Sequence, residues 1–353
     1  MSSSVDSLLT RVSKPARYTG GEWNSVTKDW DANPVRFALA YPDAYDIGMS
    51  NMGLGILYDI LNKRDGVLAE RVYAPWEDME AEIRRERALL WGLENRRPLR
   101  EFDIVGFTLQ YELTYSNVLN MLDLGGIPVR ARDRSNHHPL VIAGGSGAFN
   151  PEPLSPFIDA FVLGEGEDAV VELAERVAEW KRSRTPRATR LRELLAMPGV
   201  YVPSMYEARY DAAGHLAGLE PLVPEAPKAI RRRIVENLPP PLLKPIVPFL
   251  QTVHDRAAVE IQRGCTQGCR FCQAGMIYRP TRERTPAEVV EATRQLLQNT
   301  GYDELSLLSL STTDHSQIVP MIDALNATFP ELKISIPSTR VDSFSVDVAN
   351  AVA

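Results

Sequence analysis

Cysteine is scarce in this chain: 353 residues hold three, at 265, 269 and 272. A disulfide framework is therefore excluded, because three thiols crowded together close no set of loops, and free thiols point to a reducing compartment. Long apolar runs are missing as well. No segment approaches the roughly 18 consecutive apolar residues of a membrane span. The opening stretch, MSSSVDSLLTRVSKPARYTG, contains no apolar run of signal-peptide length. Basic residues are not in excess, with 39 Lys and Arg against 46 Asp and Glu and a net charge of −7. Bulk DNA binding, which calls for a basic footprint, is thereby disfavoured. Two local basic clusters, KRSRTPRATRLR (181–192) and Arg231-Arg232-Arg233, are expected to be solvated linker features, and they leave an RNA substrate open. What is present is ordinary: 44% hydrophobic and 24% charged residues, the composition of a globular protein with a full core, expected in the cytoplasm.

The chain alternates between two periodicities. Short apolar runs at 34–42, 67–75, 102–109, 138–145 and 159–167 predict strands. Helical patterns at 53–62, 76–93, 114–126 and 167–182 separate them. Such alternation predicts a doubly wound parallel sheet of Rossmann or flavodoxin type over 34–182, after an N-terminal extension at 1–33. Residues 183–250 change character: a hairpin is expected at 199–222 and a proline-rich connector at 224–248. Alternation restarts at 251, with strands at 257–262, 303–311 and 332–338. Thr285, Pro286 and Glu288 read as a capping box with proline at the first helical position. Three βα units are expected in 251–353, a partial TIM barrel. Its third strand would be an open parallel edge, so the sequence reads as a piece of a longer chain.

The three thiols fall at i, i+4 and i+7, just after the strand at 257–262, and can converge on one centre. Zinc in a closed site wants four protein ligands, and the candidates for a fourth, His254 and His315, do not stand at zinc-finger spacing. Thiolates are the standard ligands of iron–sulfur clusters. Three of them on a four-iron cluster leave one iron open, which is a place for chemistry.

Cys265-x3-Cys269-x2-Cys272, with Phe271 before the last cysteine and Arg263-Gly264 before the first, resembles the signature of the radical S-adenosylmethionine (radical SAM) family. The resemblance implies that these cysteines hold a 4Fe-4S cluster whose open iron is chelated by the amino and carboxylate groups of SAM. Reductive cleavage of SAM then yields a 5′-deoxyadenosyl radical, with a low-potential flavodoxin or ferredoxin as electron donor. Many relatives carry Gly-Gly-Glu at the end of the second barrel strand, where this chain has LSLSTTDHS (308–316). Ser309, Ser311 and Thr312 there, Ser338 and Arg340 at the end of the third strand, and Phe271 are the expected SAM-binding residues. His315 is expected to be a capping or surface residue.

Asp43-x-Tyr45-x-x-Gly48 has the spacing of the Asp-x-His-x-x-Gly loop of cobalamin-binding domains, with tyrosine in place of the cobalt-ligating histidine. Thr108, Gly144 and Gly145 sit at strand ends where such domains carry a small hydroxyl residue and closely approached backbone. The resemblance thus extends to radical SAM proteins with a cobalamin-binding-like domain, and cobalamin becomes a second candidate cofactor. The expected function is a radical SAM enzyme. Alternatives are a cobalamin-dependent methyltransferase, a methylthiotransferase-like modifier of RNA or protein, and a non-catalytic iron–sulfur or zinc module. Methylthiotransferases use a second cluster, for which this sequence has no further cysteines.

Overall fold

The computed structural model describes residues 2–352. It divides into two compact units, one running to Gly21 and over Ser25–Ile234, the other made of Glu22–Asn24 and the chain from Val235 on.

The first unit is built on a six-stranded sheet. Its strands are β1 (Val35–Tyr41), β2 (Val67–Tyr73), β3 (Ile104–Thr108), β4 (Leu140–Gly144), β5 (Ala160–Val162) and β6 (Val200–Tyr201). Their spatial order is β2-β1-β3-β4-β5-β6, parallel throughout except for antiparallel β6. Strands buried on both faces must be apolar nearly everywhere, which is why they read as continuous runs. One face packs on α1 (Ser2–Leu9), while α2 (Tyr45–Gly48) is a short turn after β1. The other face carries α3 (Met52–Asn62); α4 (Glu77–Arg85) and α5 (Tyr115–Leu124) lie with α1, and α6 (Glu167–Ser183) lies with α3. Chain order reverses between β1 and β3, so the switch-point crevice of this doubly wound sheet lies at their carboxyl ends.

Two segments are more ordered than their composition predicts. Within 1–33, Val5, Leu8, Tyr18 and Trp30 are buried in the main core. Within 183–250, α7 (Arg187–Glu193) and β6 extend the first unit before an exposed hairpin of β7 (Tyr206–Tyr210) and β8 (Leu216–Pro221). The basic clusters are not simply solvated. Arg187 is buried and donates to Asp159, which also pairs with buried Arg134 at 3.1 Å. Arg233 pairs with Glu172 at 2.7 Å and bridges to Gly164.

In the second unit, β9 (Ala257–Glu260) runs into a two-residue strand β10 (Gln262–Arg263), which pairs antiparallel with β11 (Arg282–Glu283). Between them lie the cysteine loop and one turn of helix, α8 (Ala274–Ile277). Then come α9 (Pro286–Thr300), β12 (Glu304–Leu308), α10 (Ile318–Thr328), β13 (Lys333–Ser335) and α11 (Val346–Val352). The parallel sheet is ordered β13-β12-β9, three successive βα units. Thr285 and Glu288 form the expected reciprocal capping box at the start of α9. Ala257, Val259, Ile261, Leu305 and Leu307 bury one sheet face under α9 and α10. Alternation therefore gives Glu260, Gln262, Ser306 and Leu308 to the opposite face. No helix among the described residues is long and apolar enough to cross a membrane.

Candidate functional site

Local backbone demands explain the cysteine loop. Gly264 has φ +89, and a Cβ there would lie 2.5 Å from the Pro280 carbonyl oxygen and 2.7 Å from that of Tyr278. Only glycine fits so close to two carbonyls in a left-handed conformation. Gly268, at φ +66, turns the chain again between the first two cysteines. The Cys272 amide donates to the Cys269 carbonyl at 3.0 Å, and Arg279 Nε donates to the Cys265 carbonyl at 3.2 Å. Arg263 grips Glu260 through two hydrogen bonds of 2.8 and 2.9 Å, fixing the entry to the loop. All three cysteines are half-buried and free of disulfides. Among the described residues no three His, Cys, Asp or Glu side chains stand pre-gathered around a metal position, the thiols included. Phe271 is 92% exposed.

The strand-end residues expected to bind SAM come together. Ser309 and Thr312 hydroxyls are 3.0 Å apart, and Ser309 Oγ accepts from the Ser311 amide at 3.1 Å. Thr312 Oγ1 donates to the Pro337 carbonyl at 2.6 Å, and its amide to the Ser338 carbonyl at 3.2 Å. These bonds staple the loop after β12 to the end of β13, where Ser338 adopts φ +58. Asp314 is the hub, and sequence reasoning missed it. Its Oδ2 accepts from Ser311 Oγ at 2.7 Å, Gln267 Nε2 at 2.9 Å and Arg340 Nη1 at 3.1 Å. Burial works against ionisation of Asp314, but these donors and the Arg340 charge hold its carboxyl below the ordinary value. Its sequence signal was faint: a lone acid in the LSLSTTDHS stretch that follows the second strand of this unit.

His315 is buried, not at the surface. Its Nδ1 accepts from the Gln317 amide at 3.0 Å and its Nε2 faces the Arg284 carbonyl at 3.0 Å, which fixes the Nε2–H tautomer. Both ring nitrogens are committed to backbone, so this histidine is not an available fourth zinc ligand. The donor chemistry fits a four-iron cluster: three unpaired thiols on one glycine-shaped loop, beside a rim of hydroxyls and the ion pair of Asp314 with Arg340.

In the first unit, Asp43, Thr108, Gly144 and Gly145 lie around the carboxyl ends of β1, β3 and β4, with Thr108 and Gly144 in register. Asp43 Oδ2 accepts from Tyr111 Oη at 2.7 Å, directly across the switch point. That hydrogen bond, more than burial, pushes the Tyr111 phenol up to about 12. Gly145 has φ +95 and would meet the Leu109 carbonyl oxygen at 2.5 Å if it carried a Cβ. Tyr45 is set apart from these residues. It is 1% exposed and packs edge-on against Tyr73, ring centroids 5.3 Å apart. Gly48 abuts the same ring, at 2.4 Å from an added Cβ. Tyr45 thus belongs to the core, and the residues present do not fit a corrinoid ligated from this position.

A family model described as radical SAM proteins, N-terminal, matches residues 53–203, and one described as radical SAM superfamily matches residues 259–352. The chain belongs to the radical SAM superfamily. Membership implies a 4Fe-4S cluster and SAM. An uncharacterized protein of Methanocaldococcus jannaschii, MJ0966, is 23% identical over 320 residues, covering 88% of this chain and 56% of that one. Among solved structures, the radical SAM methyltransferase TsrM of Kitasatospora setae, with cobalamin and a [4Fe-4S] cluster bound, aligns with TM-score 0.53 and 16% identity. That alignment covers 90% of this chain and 59% of TsrM. The cobalamin-dependent SAM radical enzyme OxsB, with aqua-cobalamin and SAM bound, aligns with TM-score 0.51 and 14% identity, covering 90% of this chain and 41% of OxsB. At such identities the likeness is one of fold. The chain spans about half the length of the relatives it matches.

Proposed function

We propose that this protein is a radical SAM enzyme in which Cys265, Cys269 and Cys272 hold a 4Fe-4S cluster at three irons and leave the fourth to SAM. Bound there and reduced, the cluster would supply the one-electron chemistry that cleaves SAM to methionine and a 5′-deoxyadenosyl radical able to take hydrogen from a substrate. The chain's own contribution is placement. Gly264 lets the loop pass beneath two carbonyls, so that Cys265 emerges directly from the strand. Thr312, in contact with the Ser309 hydroxyl, holds the loop after β12 to the end of β13, next to Ser338 and Arg340. Phe271, standing in solvent, offers an aromatic face to a nucleotide. One observation carries the reading: the only three thiols lie on a loop whose Gln267 reaches the polar strand-end cluster at Asp314.

Anaerobic reconstitution of the full-length protein tests it. Four irons and four sulfides per chain are expected, with a reduced-cluster EPR signal that shifts on adding SAM. Zinc without iron or sulfide, or a signal indifferent to SAM, would overturn the assignment.

The reading assigns 34–182 to a cobalamin-binding-like domain and 251–353 to the radical SAM core. A corrinoid in the first unit would meet Asp43, Thr108, Gly144 and Gly145 and take no cobalt ligand from Tyr45. The electron donor is a low-potential flavodoxin or ferredoxin, and the free thiols favour the cytoplasm. A substrate on RNA or protein is compatible with the rest.

A further inference from the structure

Positive charge in this acidic chain collects at one end of the first unit, where the chemistry above makes no use of it. Residues 181–192 contain six Lys or Arg and no acid, and 130–138 contain three Arg and two His beside one Asp. The fold joins the two segments. Asn136 Oδ1 accepts from the Arg187 amide at 2.6 Å, and Arg187 Nη1 donates to the His138 and Pro139 carbonyls, each at 3.2 Å. Both segments lie at the amino ends of the strands, opposite the switch-point crevice: Asp103, just before β3, pairs with Lys181 at 2.6 Å, and its carbonyl accepts from the Leu140 amide at the start of β4. Acids offset only part of the charge. Lys181 has Asp103, Arg192 has Glu225 at 3.0 Å, and Arg134 and Arg187 share the one carboxylate of Asp159. Arg130, Arg182, Arg184 and Arg190 have no acidic partner among the described residues, and the first three are exposed. Burial first, and the Arg187 charge next, hold both Arg190 and His138 below their ordinary values, so the local field is positive.

We propose that the face carrying Arg130, Arg182, Arg184 and Arg190 docks RNA, its guanidinium groups gripping the phosphodiester backbone around a stem-loop. The proposal stands independently of the cluster assignment. Guanidinium outnumbers ammonium five to one over 181–192. Its planar fork matches phosphate oxygens and stacks on unpaired bases, which a lysine cannot do. The exposed His137 ring and Asn136 Nδ2 donate to no described residue, leaving them for base edges and 2′-hydroxyls. A lipid surface is the poorer match, because no large apolar side chain of either segment is exposed to enter a bilayer. A long DNA duplex would run past this compact face onto the rest of a chain whose net charge is −7.

Fluorescence anisotropy tests this with the full-length protein, a labelled stem-loop RNA of mixed sequence, and the DNA of the same sequence, over a series of salt concentrations. Wild type is expected to bind the RNA with a Kd of about 1–100 µM near physiological salt, and log affinity should fall against log salt with a slope of roughly −3, as about four phosphate contacts give. R182Q/R184Q should bind about 10-fold more weakly and flatten the slope by about 1.4. R130Q, on the other segment, should weaken binding in the same direction. R84Q/R85Q is the matched control: it removes the same charge from two equally exposed arginines of α4, on the other side of the sheet, and should leave affinity unchanged. All three variants alter exposed side chains, and their circular dichroism should equal that of wild type. Absence of RNA binding, an equal loss in R84Q/R85Q, or full affinity in R182Q/R184Q would each overturn the proposal. Equal affinity for the DNA would overturn the choice of RNA. Capture on phosphatidylserine vesicles that R182Q/R184Q abolishes, without RNA binding, would reassign the face to a lipid surface.

Discussion

Gln267 and Asp314 lie 47 positions apart and meet at 2.9 Å, joining the cysteine loop to the end of the next barrel strand. The loop proposed to hold the cluster is thereby tied to the neighbouring strand end, in addition to the Arg279 hydrogen bond to the Cys265 carbonyl. On that proposal, metal binding would complete the ordering, since ligand convergence and loop folding are coupled.

Cys265→Ala, Cys269→Ala and Cys272→Ala should each reduce bound iron and sulfide to near zero after reconstitution. Far-ultraviolet circular dichroism should stay unchanged, because all three side chains are only half-buried and none braces the core. Full iron loading in any one variant would remove that cysteine from the ligand set.

Gly264→Ala tests the shape of the loop. The added methyl would collide with the Pro280 and Tyr278 carbonyls in a left-handed conformation, at a cost of about 1–3 kcal/mol for the strained backbone. Cluster occupancy should drop several-fold at limiting iron. Gly301→Ala is the comparison, since φ is +73 there and an added Cβ meets nothing within 4 Å.

Asp159 lies buried between two arginines, Arg134 and Arg187, and also accepts from the Val141 amide at 2.8 Å. Asp159→Ala leaves two guanidinium charges without their acid. A loss of about 3–5 kcal/mol in urea-denaturation stability is expected. A change within experimental error would mean that water reaches the arginines freely.

Glu70 sits in the interior of β2, fully buried, where it accepts from Asn95 Nδ2 at 2.7 Å. Burial, and then the neighbouring Glu94 charge, push its carboxyl up to about 7. The folded state therefore holds this proton at pH values where the unfolded chain, near 4.5, has lost it. Folding stability should decline as pH rises from about 4.5 towards about 7, and Glu70→Gln should flatten that slope in denaturation midpoints collected across the range. Parallel slopes for the two proteins would contradict the assignment.

Legibility in the sequence followed locality. The strands of the first unit announced themselves because burial on both faces demands unbroken apolar runs. Thr285 and Glu288 are three positions apart and were readable as a cap, and the cysteine spacing was readable for the same reason. Asp314 was not, because its partners at 267 and 340 come from other loops and leave no periodic trace. Arg187 looked like part of a solvated charge run, and only the tertiary position of Asp159 makes it interior. Tyr45 matched a ligand position by spacing, yet spacing carries no information about which way a ring turns. The buried residues at 1–33 were missed because their apolar positions are scattered among turns, with no repeat to mark them.

The inward ring of Tyr45 has a corollary for redesign. A histidine written in at that position would inherit a niche bounded by the Tyr73 aromatic edge, swapping a snug phenol for a smaller, wetter heterocycle. The outcome would be a hole in the scaffold rather than a new grip on cobalt.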